Sequence, residues 1–247
     1  INYAQGFESM AADVTGSGGT DKAFMYDTAA DDTYAATPTL ATYDYNSTAA
    51  PGVDMSAGGF TETYSYATSG GTDVASLTGG AGTADRFTGQ LTSSYLEDTL
   101  GAYFNYVTGF DTVTANAVGA GDLAFLYGSN GDDVFDADAN SGAFTLNPTV
   151  GSQVVNTAAA FDQVYAYASG GGTDTANLDG TTGADTIVAK DDWGYLRSTG
   201  TSDYFNYVRY FDDVFADPGD TDIGNDTIDD QGTTYTLGTD PGNGNVW

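Results

Sequence analysis

The chain has 247 residues, of which 35 are acidic and 5 are basic, and it contains neither His nor Cys. A formal charge of -30 excludes nucleic acid as a partner, because it repels phosphate and five scattered basic side chains cannot form a basic track. The absence of His and Cys removes the usual general base, the thiol nucleophile and the commonest zinc ligands, so we expect a protein that is not an enzyme.

The composition favours a folded protein outside the cell. Hydrophobic residues make up 40% of the chain and aromatic residues 13%, which is too apolar for a disordered acidic tail. No apolar run reaches the roughly 18 residues that a spanning helix needs, so we expect no membrane insertion. The chain begins at Ile1 without a signal-like stretch, which predicts a processed start or a segment of a longer protein. We therefore expect a β-rich protein that is extracellular or at the cell surface.

A repeat of about 50 residues runs through the chain. An aromatic anchor recurs at Phe7, Phe60, Phe110, Phe161 and Phe211. A first Asp opens an Asp-x-Ala segment at Asp21, Asp73, Asp122 and Asp174, and a second Asp lies at Asp32, Asp85, Asp133, Asp185 and Asp226. These spacings predict a single repeat domain, 1–247, with units at approximately 1–53, 54–103, 104–154, 155–204 and 205–247. The last unit is shortened, and in this alignment it lacks the Asp-x-Ala segment.

Each unit is predicted to contain four short strands and almost no helix. Small or branched apolar residues alternate with polar or bulky ones, as at Val113, Ala115 and Ala117, and Gly, Asn and Asp clusters separate the stretches. Such strands cannot bury a face alone, so we expect an all-β, solenoid-like stack of five units. A three-sided coil with a rung of roughly 25 residues would place two rungs in each unit. Tandem antiparallel hairpins or a β-sandwich are the alternative.

An Asn precedes four of the five anchors by five residues. The four are Asn2, Asn105, Asn156 and Asn206, and Met55 takes the place in the remaining unit. Asn side chains in register can hydrogen-bond along a stack. Asn also supplies turn conformations, and the pattern leaves both interpretations open.

The two ends of the chain match parts of the repeat. The first residues lead into Phe7 like the segments before the later anchors, and the chain stops near Trp247, about where the next such segment would begin. Because unpaired strand edges recruit other chains, we expect a head-to-tail homopolymer that forms an open filament. Its predicted interface consists of Ile1, Asn2, Tyr3, Ala4, Phe7, Tyr235, Leu237, Val246 and Trp247. Ends cut from a longer array would match in the same way.

Two segments carry a family resemblance. The run from Thr173 to Ile187 and the run Gly109-Phe110-Asp111 resemble the Thr-Asp-x-Ala-x-Leu-x-Gly-x-x-Gly-x-Asp and Gly-Phe-Asp repeats of large secreted bacterial surface proteins. The resemblance covers nearly the whole chain. It implies a secreted, non-enzymatic role at a surface or in a filament, with no established ligand.

Calcium is the one cofactor that the sequence suggests. The turns before Phe135 and Ile187 are weakly similar to calcium-binding nonapeptides, which makes Asp132, Asp133, Asp185 and Asp226 candidate ligands. A calcium-dependent adhesion or spacer module of a large cell-surface protein is therefore the alternative function. The matches lie about 50 residues apart rather than in tandem, so Gly/Asp turns that open strands also explain them.

Glycans are candidate partners for two reasons. Asn46 and Asn225 fit the acceptor pattern for N-glycosylation. Outward Tyr residues, such as Tyr64 with Tyr66 and Tyr165 with Tyr167, could stack on sugars in a carbohydrate-binding module, although Tyr is also a good strand residue.

Overall fold

The computed structural model describes residues 9–14, 16, 18–45, 54–199, 204–217, 227–233 and 236–238. These residues form 23 strands and no helix, so the predicted all-β class is confirmed. The described ranges accordingly contain no helix with the length and apolar character to cross a membrane.

The first strands in chain order are β1 (Met10–Asp13), β2 (Lys22–Tyr26), β3 (Thr33–Ala36), β4 (Leu40–Asp44), β5 (Met55–Gly58), β6 (Glu62–Tyr66), β7 (Val74–Thr78), β8 (Asp85–Gly89), β9 (Ser93–Asp98), β10 (Phe104–Thr108), β11 (Thr112–Asn116) and β12 (Leu123–Tyr127). They are followed by β13 (Val134–Ala137), β14 (Ser141–Leu146), β15 (Val154–Ala159), β16 (Gln163–Tyr167), β17 (Thr175–Asp179), β18 (Asp185–Asp191), β19 (Trp193–Ser198), β20 (Phe205–Arg209), β21 (Asp213–Asp217), β22 (Thr227–Thr233) and β23 (Thr236–Gly238).

The strands form two large sheets. Sheet A has twelve strands in the order β1-β5-β4-β3-β7-β11-β15-β14-β13-β17-β21-β23. Sheet B has eleven strands in the order β2-β6-β10-β9-β8-β12-β16-β20-β19-β18-β22. Successive rungs pair in parallel, as β3 does with β7 and β7 with β11. The coil therefore has two sides, and the expectation of a three-sided coil was wrong.

A three-strand meander interrupts the coil once in each of the first four units. The meanders are β3-β4-β5, β8-β9-β10, β13-β14-β15 and β18-β19-β20, and their internal pairs are antiparallel. They raise the number of strands in each internal unit to five rather than four. Meanders alternate between sheet A and sheet B, so one structural period spans two sequence units. The molecule thus combines the solenoid and the hairpins that the sequence offered as alternatives.

The meanders hold the large side chains of the core. Tyr34 faces Tyr43 across the β3-β4 ladder, and Phe135 faces Phe144 across β13-β14. The anchor of the second following unit packs on each such pair: the Phe110 ring lies 6.1 Å from that of Tyr34, and the Phe211 ring lies 5.7 Å from that of Phe144. The anchors therefore join units two positions apart through the core.

A left-handed residue precedes each described anchor. Gly59 has φ 74° and Gly109 has φ 82°, whereas Ala160 and Tyr210 adopt φ 60° and 68°. A Cβ at Gly109 would lie 1.9 Å from the carbonyl oxygen of Ala67. The Gly-Phe pattern therefore reflects a turn geometry that glycine adopts without strain.

The buried Asn residues do not stack on one another. The Nδ2 of Asn156, in strand β15 of sheet A, donates to the carbonyl oxygen of Gln90, in the β8-β9 turn of sheet B, at 3.1 Å. The Nδ2 of Asn206 in β20 of sheet B donates to the carbonyl oxygen of Asp138, in the β13-β14 turn of sheet A, at 2.8 Å. Each Asn thus binds across the core to a turn of the opposite sheet, which neither sequence interpretation anticipated.

The fifth unit aligns differently from the sequence prediction. Strand β22, which directly follows Asp226 in the sequence, pairs in parallel with β18 in sheet B. The same relation holds between β12 and β8 and between β17 and β13, and these strands follow the first Asp of their units. The fifth unit therefore contains a strand, β22, that corresponds to the Asp-x-Ala strand of the earlier units. Within the described residues it shows no meander, because β23 pairs directly with β21.

Candidate assembly surfaces

Aspartates form hydrogen-bonded ladders at the turns that lead into the strands, and the first two members of each ladder are buried. The N–H of Asp32 donates to the Asp73 carboxylate at 2.9 Å, and the N–H of Asp73 donates to the Asp111 carboxylate at 2.9 Å. The same pattern joins Asp85, Asp122 and Asp162, and also Asp133, Asp174 and Asp212. The sequence pattern showed the first two members of each ladder. It did not connect them to the Asp after the anchor Phe, since each step joins residues about 40 positions apart.

Some ladder carboxylates also close their own turns. The N–H of Thr28 donates to Asp32 at 2.6 Å, and the N–H of Gly80 donates to Asp85 at 2.7 Å. The N–H of Thr181 donates to Asp185 at 2.7 Å in the same way. Each carboxylate therefore satisfies a part-buried backbone donor of its own turn.

Burial raises the proton affinity of several ladder members. Desolvation, with added repulsion from Asp32 and other carboxylates, raises the pKa of Asp73 to about 6. Desolvation and the neighbouring carboxylates Asp133 and Asp212 likewise raise the pKa of Asp174 to about 6. Burial also raises the pKa of Asp85. The ladders are therefore sites where negative charge is held at an energetic cost.

The three described candidate calcium ligands, Asp132, Asp133 and Asp185, do not form a metal-binding cluster. Asp132 is exposed and Asp133 is buried, where the hydroxyl of Ser129 and the N–H of Asn147 each donate to its carboxylate at 2.7 Å. Asp185 opens a strand of the other sheet, and Asp226 lies outside the described residues. In the part of the chain that the structure describes, no group of three or more potential ligands is placed to hold a metal ion. Calcium binding stays a prediction.

Most of the other predicted site residues fall outside the described ranges. These are Ile1, Asn2, Tyr3, Ala4, Phe7, Tyr235, Val246, Trp247, Asn46 and Asn225. Leu237 lies in β23, where it pairs in register with Val214 of β21. Both glycosylation acceptors therefore stay predictions, as does the interface.

Aromatic rings cover the outward side of sheet B, which we call outer face B. The Phe24 ring stacks on Tyr64 at 5.1 Å with an interplanar angle of 16°. The Phe125 ring stacks on Tyr165 at 5.2 Å and 15°. The strand register places eight aromatic residues and two others, Thr88 and Val188, in a central row: Phe24, Tyr64, Tyr106, Tyr95, Thr88, Phe125, Tyr165, Tyr207, Tyr195 and Val188.

The rings of this central row pack mainly on one another. Tyr165 lies between Phe125 and Tyr207, with ring centroids 5.2 and 5.6 Å away. Stacking of this kind stabilises the sheet and leaves ring edges and hydroxyls at the surface. Because sugars stack on ring faces, the arrangement supports a structural role for the Tyr rows more than a carbohydrate-binding one.

The row is incomplete at strand β2, the last described strand at its end of sheet B. Phe24 and Tyr26 are 55% and 56% exposed, and their rings stack on Tyr64 and Tyr66 of β6. The carbonyl of Asp21 accepts the N–H of Glu62, and Asp27 donates its N–H to Tyr66. In a parallel ladder, backbone groups of alternate residues face the same neighbour. The backbone groups of Phe24 therefore face away from β6, toward an edge that no other described strand pairs with, which we call the free edge.

Sheet A also ends in a strand with one unpaired edge among the described residues, at the same end of the molecule. Strand β1 pairs with β5, and register with Met55 places Met10 on the core side, yet Met10 is 38% exposed. Among the described strands, none pairs with the other edge of β1. Both sheets thus present an edge where a further strand could add.

Comparison with known proteins gives no relative. No protein-family model matches the chain, and neither a curated protein nor a solved structure is significantly similar to it. The resemblance to bacterial surface repeats therefore stays a prediction.

Proposed function

We propose that this is an extracellular structural protein whose copies join end to end, each continuing both sheets of the next. The observation that carries the proposal is the free edge of β2, where Phe24 and Tyr26 end an aromatic stack with more than half of each side chain exposed. An added strand would pair with this edge and extend the row of rings. Main-chain hydrogen bonds would supply affinity, and alternate side chains would fix the register.

Strand direction favours this mode of assembly. At one end β1 and β2 pair in parallel with their inner neighbours, and at the other end β22 and β23 do the same. A copy added by translation along the stack would therefore meet strands that already run in the right direction. Such a contact uses different surfaces on the two partners, and repetition gives an open filament.

The sequence supplies the remaining parts of the mechanism as hypotheses. The first segment, 1–7, and the last, 235–247, would contribute the pairing strands. The charge of -30 opposes contact between copies, so added salt should promote polymer by screening this repulsion. The acidic, His-free and Cys-free composition supports a structural role at a cell surface rather than an enzymatic one.

A proline at the free edge tests the proposal. Phe24→Pro removes the outward N–H and the ring, whereas the β2-β6 ladder should persist because edge strands tolerate proline. We expect micromolar wild-type protein to form filaments in negative-stain images, and the variant to sediment as a monomer with an unchanged circular dichroism spectrum. Val150→Ser, at a side chain that is 87% exposed in a distant turn, is the matched control and should still polymerise.

Two outcomes would contradict end-to-end assembly. One is a wild-type protein that stays monodisperse at all salt concentrations. The other is a Phe24→Pro variant that polymerises as readily as the wild type while its monomer remains β-rich. A further variant, Phe24→Ala, removes the ring but keeps the N–H and should weaken polymerisation to an intermediate extent.

A further inference from the structure

All five basic residues of the chain lie on outer face B. They are Lys22, Arg86, Lys190, Arg197 and Arg209, and each occupies an outward position in a strand of sheet B. The outward side of sheet A, which we call outer face A, has no basic residue in its described strands. It carries instead Asp13, Asp44, Asp136, Asp179, Asp213 and Asp217. The two faces of one molecule are therefore electrostatically different.

The cations flank the central aromatic row of outer face B. Lys22, Arg86 and Arg197 lie one outward position before the row, while Arg209 and Lys190 lie one position after it. Interfaces between proteins are enriched in Tyr, Trp and Arg, with an apolar centre and a polar rim. Outer face B has this composition and this arrangement.

Outer face A is complementary to outer face B in shape as well as in charge. Its central outward positions carry small side chains over much of the sheet, including Ser76, Thr114, Thr157 and Ala143. The acidic residues lie mostly to either side: Asp44 and Asp213 at the first outward position, and Asp13, Asp179 and Asp217 at the last. Bulky rings facing small residues, and cations facing carboxylates, would fit together.

We propose that outer face B of one copy packs on outer face A of a second copy. Eleven strands at about 4.8 Å and five residues at about 3.3 Å give a face on the order of 850 Å². This area is close to the roughly 800 Å² that each partner contributes to a stable interface. The contact joins opposite sides of the molecule, so it propagates side by side. It goes beyond end-to-end assembly because it uses neither sheet edge.

Two cations are suited to a test because they form no ion pair with any side chain that the structure describes. Lys22, Arg86 and Arg209 pair with Glu62, Glu97 and Asp192. Among the described residues, Lys190 and Arg197 have no acidic side chain at ion-pair distance. Their substitution therefore changes the face without breaking an internal bridge.

The test combines two charge-reversal variants of the full chain. The B variant carries Lys190→Glu and Arg197→Glu, and the A variant carries Asp136→Lys and Asp179→Lys. We expect wild-type protein to associate side by side, and each variant alone to do so at least tenfold more weakly by light scattering. An equimolar mixture should recover association, because each altered face then meets its altered complement. Circular dichroism and thermal unfolding would verify that both variants are folded.

The salt response and an edge-blocked chain separate this contact from end-to-end assembly. Side-by-side association should weaken with added salt, whereas end-to-end growth should strengthen. Protein carrying Phe24→Pro should still associate sideways, and the B variant should still form single filaments. An A variant that associates as well as wild type would show face B meeting face B and overturn the proposal. Failure of the mixture to recover association, or single particles of wild type at low salt, would also overturn it.

Discussion

The side-chain Nδ2 of Asn105 in sheet B donates a hydrogen bond of 3.2 Å to the carbonyl oxygen of Thr37, in the β3-β4 turn of sheet A. The Oδ1 of the same Asn accepts the hydroxyl of Thr63 at 2.7 Å. Asn156 and Asn206 make equivalent bonds one and two units later. A polar side chain thus ties the first turn of three of the meanders to the facing sheet through the core.

Asn105→Ala should destabilise the fold. The substitution leaves a turn carbonyl without its donor and the Thr63 hydroxyl with one fewer partner, at a cost of about 1–3 kcal/mol. Urea unfolding at neutral pH would measure this loss. Asn116→Ala, at an outward position of β11, is the control and should change stability by less than about 0.5 kcal/mol. Equal losses in the two variants would contradict a bridging role for Asn105.

Stability should fall as pH rises through the range in which the ladders ionise. Asp73 has an ordinary pKa of 3.8, and burial raises this pKa to about 6 in the folded protein. Between these values the unfolded state releases a proton that the folded state retains, so the free energy of unfolding decreases with rising pH. Below about pH 4 the carboxyl contributes no pH dependence, and above about pH 6 the loss is complete.

Asp73→Asn isolates this effect. The amide oxygen can still accept the N–H of Asp32, but the position no longer ionises. A tenfold change in proton affinity corresponds to about 1.4 kcal/mol. We therefore expect the free energy of unfolding of the variant, relative to that of the wild type, to increase by on the order of 2 kcal/mol between pH 4 and pH 7. Urea titrations at a series of pH values would measure it, with Asp136→Asn on the exposed side of β13 as the control. A difference between variant and wild type that does not vary with pH would contradict the assignment.

Substitutions at the residue before the anchor should change stability in opposite directions in two neighbouring units. Ala160 adopts a left-handed φ of 60°, so Ala160→Gly should relieve strain and stabilise by about 1 kcal/mol. Gly109→Ala would place a Cβ 1.9 Å from the Ala67 carbonyl oxygen and should destabilise strongly. Thermal unfolding of the two single variants would show this contrast. The turn geometry would be wrong if Gly109→Ala were tolerated.

Removal of calcium should not change the unfolding temperature. The carboxylate of Asp133 is engaged by Ser129 and Asn147, so its role in the turn needs no metal. Asp133→Ala should therefore destabilise by about 2 kcal/mol or more both with and without EDTA, because backbone donors lose their acceptor. Asp132→Ala, at the exposed neighbour, should have a small effect in both conditions. A fall in unfolding temperature on adding EDTA would instead favour the calcium-dependent spacer.

Part of the fold could be read from local alternation. The inward positions of β11 and β16, such as Val113 and Ala166, are buried as the pattern predicts, and the residues after the second Asp, such as Tyr34 and Phe135, form the core. These predictions succeed because side-chain parity along a strand is a local property. The Gly before the anchors was also visible in the sequence, although its left-handed turn was not.

The meanders could not be predicted in the same way. Whether the chain after Ala36 crosses to the other sheet or turns back depends on which neighbour covers the strand, and that neighbour is tens of residues distant. For the same reason the sequence placed Asp226 with the second Asp of the earlier units, whereas the pairing of β22 with β18 aligns it with the first. The free edge at Phe24 was likewise missed, because the expected interface was placed at the chain ends.

The sequence by itself determined the β class, the repeat length, the excess of acidic charge and the inward face of each strand, because these depend on composition and on neighbours along the chain. Only the tertiary structure decided that the coil has two sides, that Asp residues about 40 positions apart form ladders, and that every cation lies on one outer face. Those features arise from strand register and sheet order, which bring distant residues together and which local periodicity does not specify.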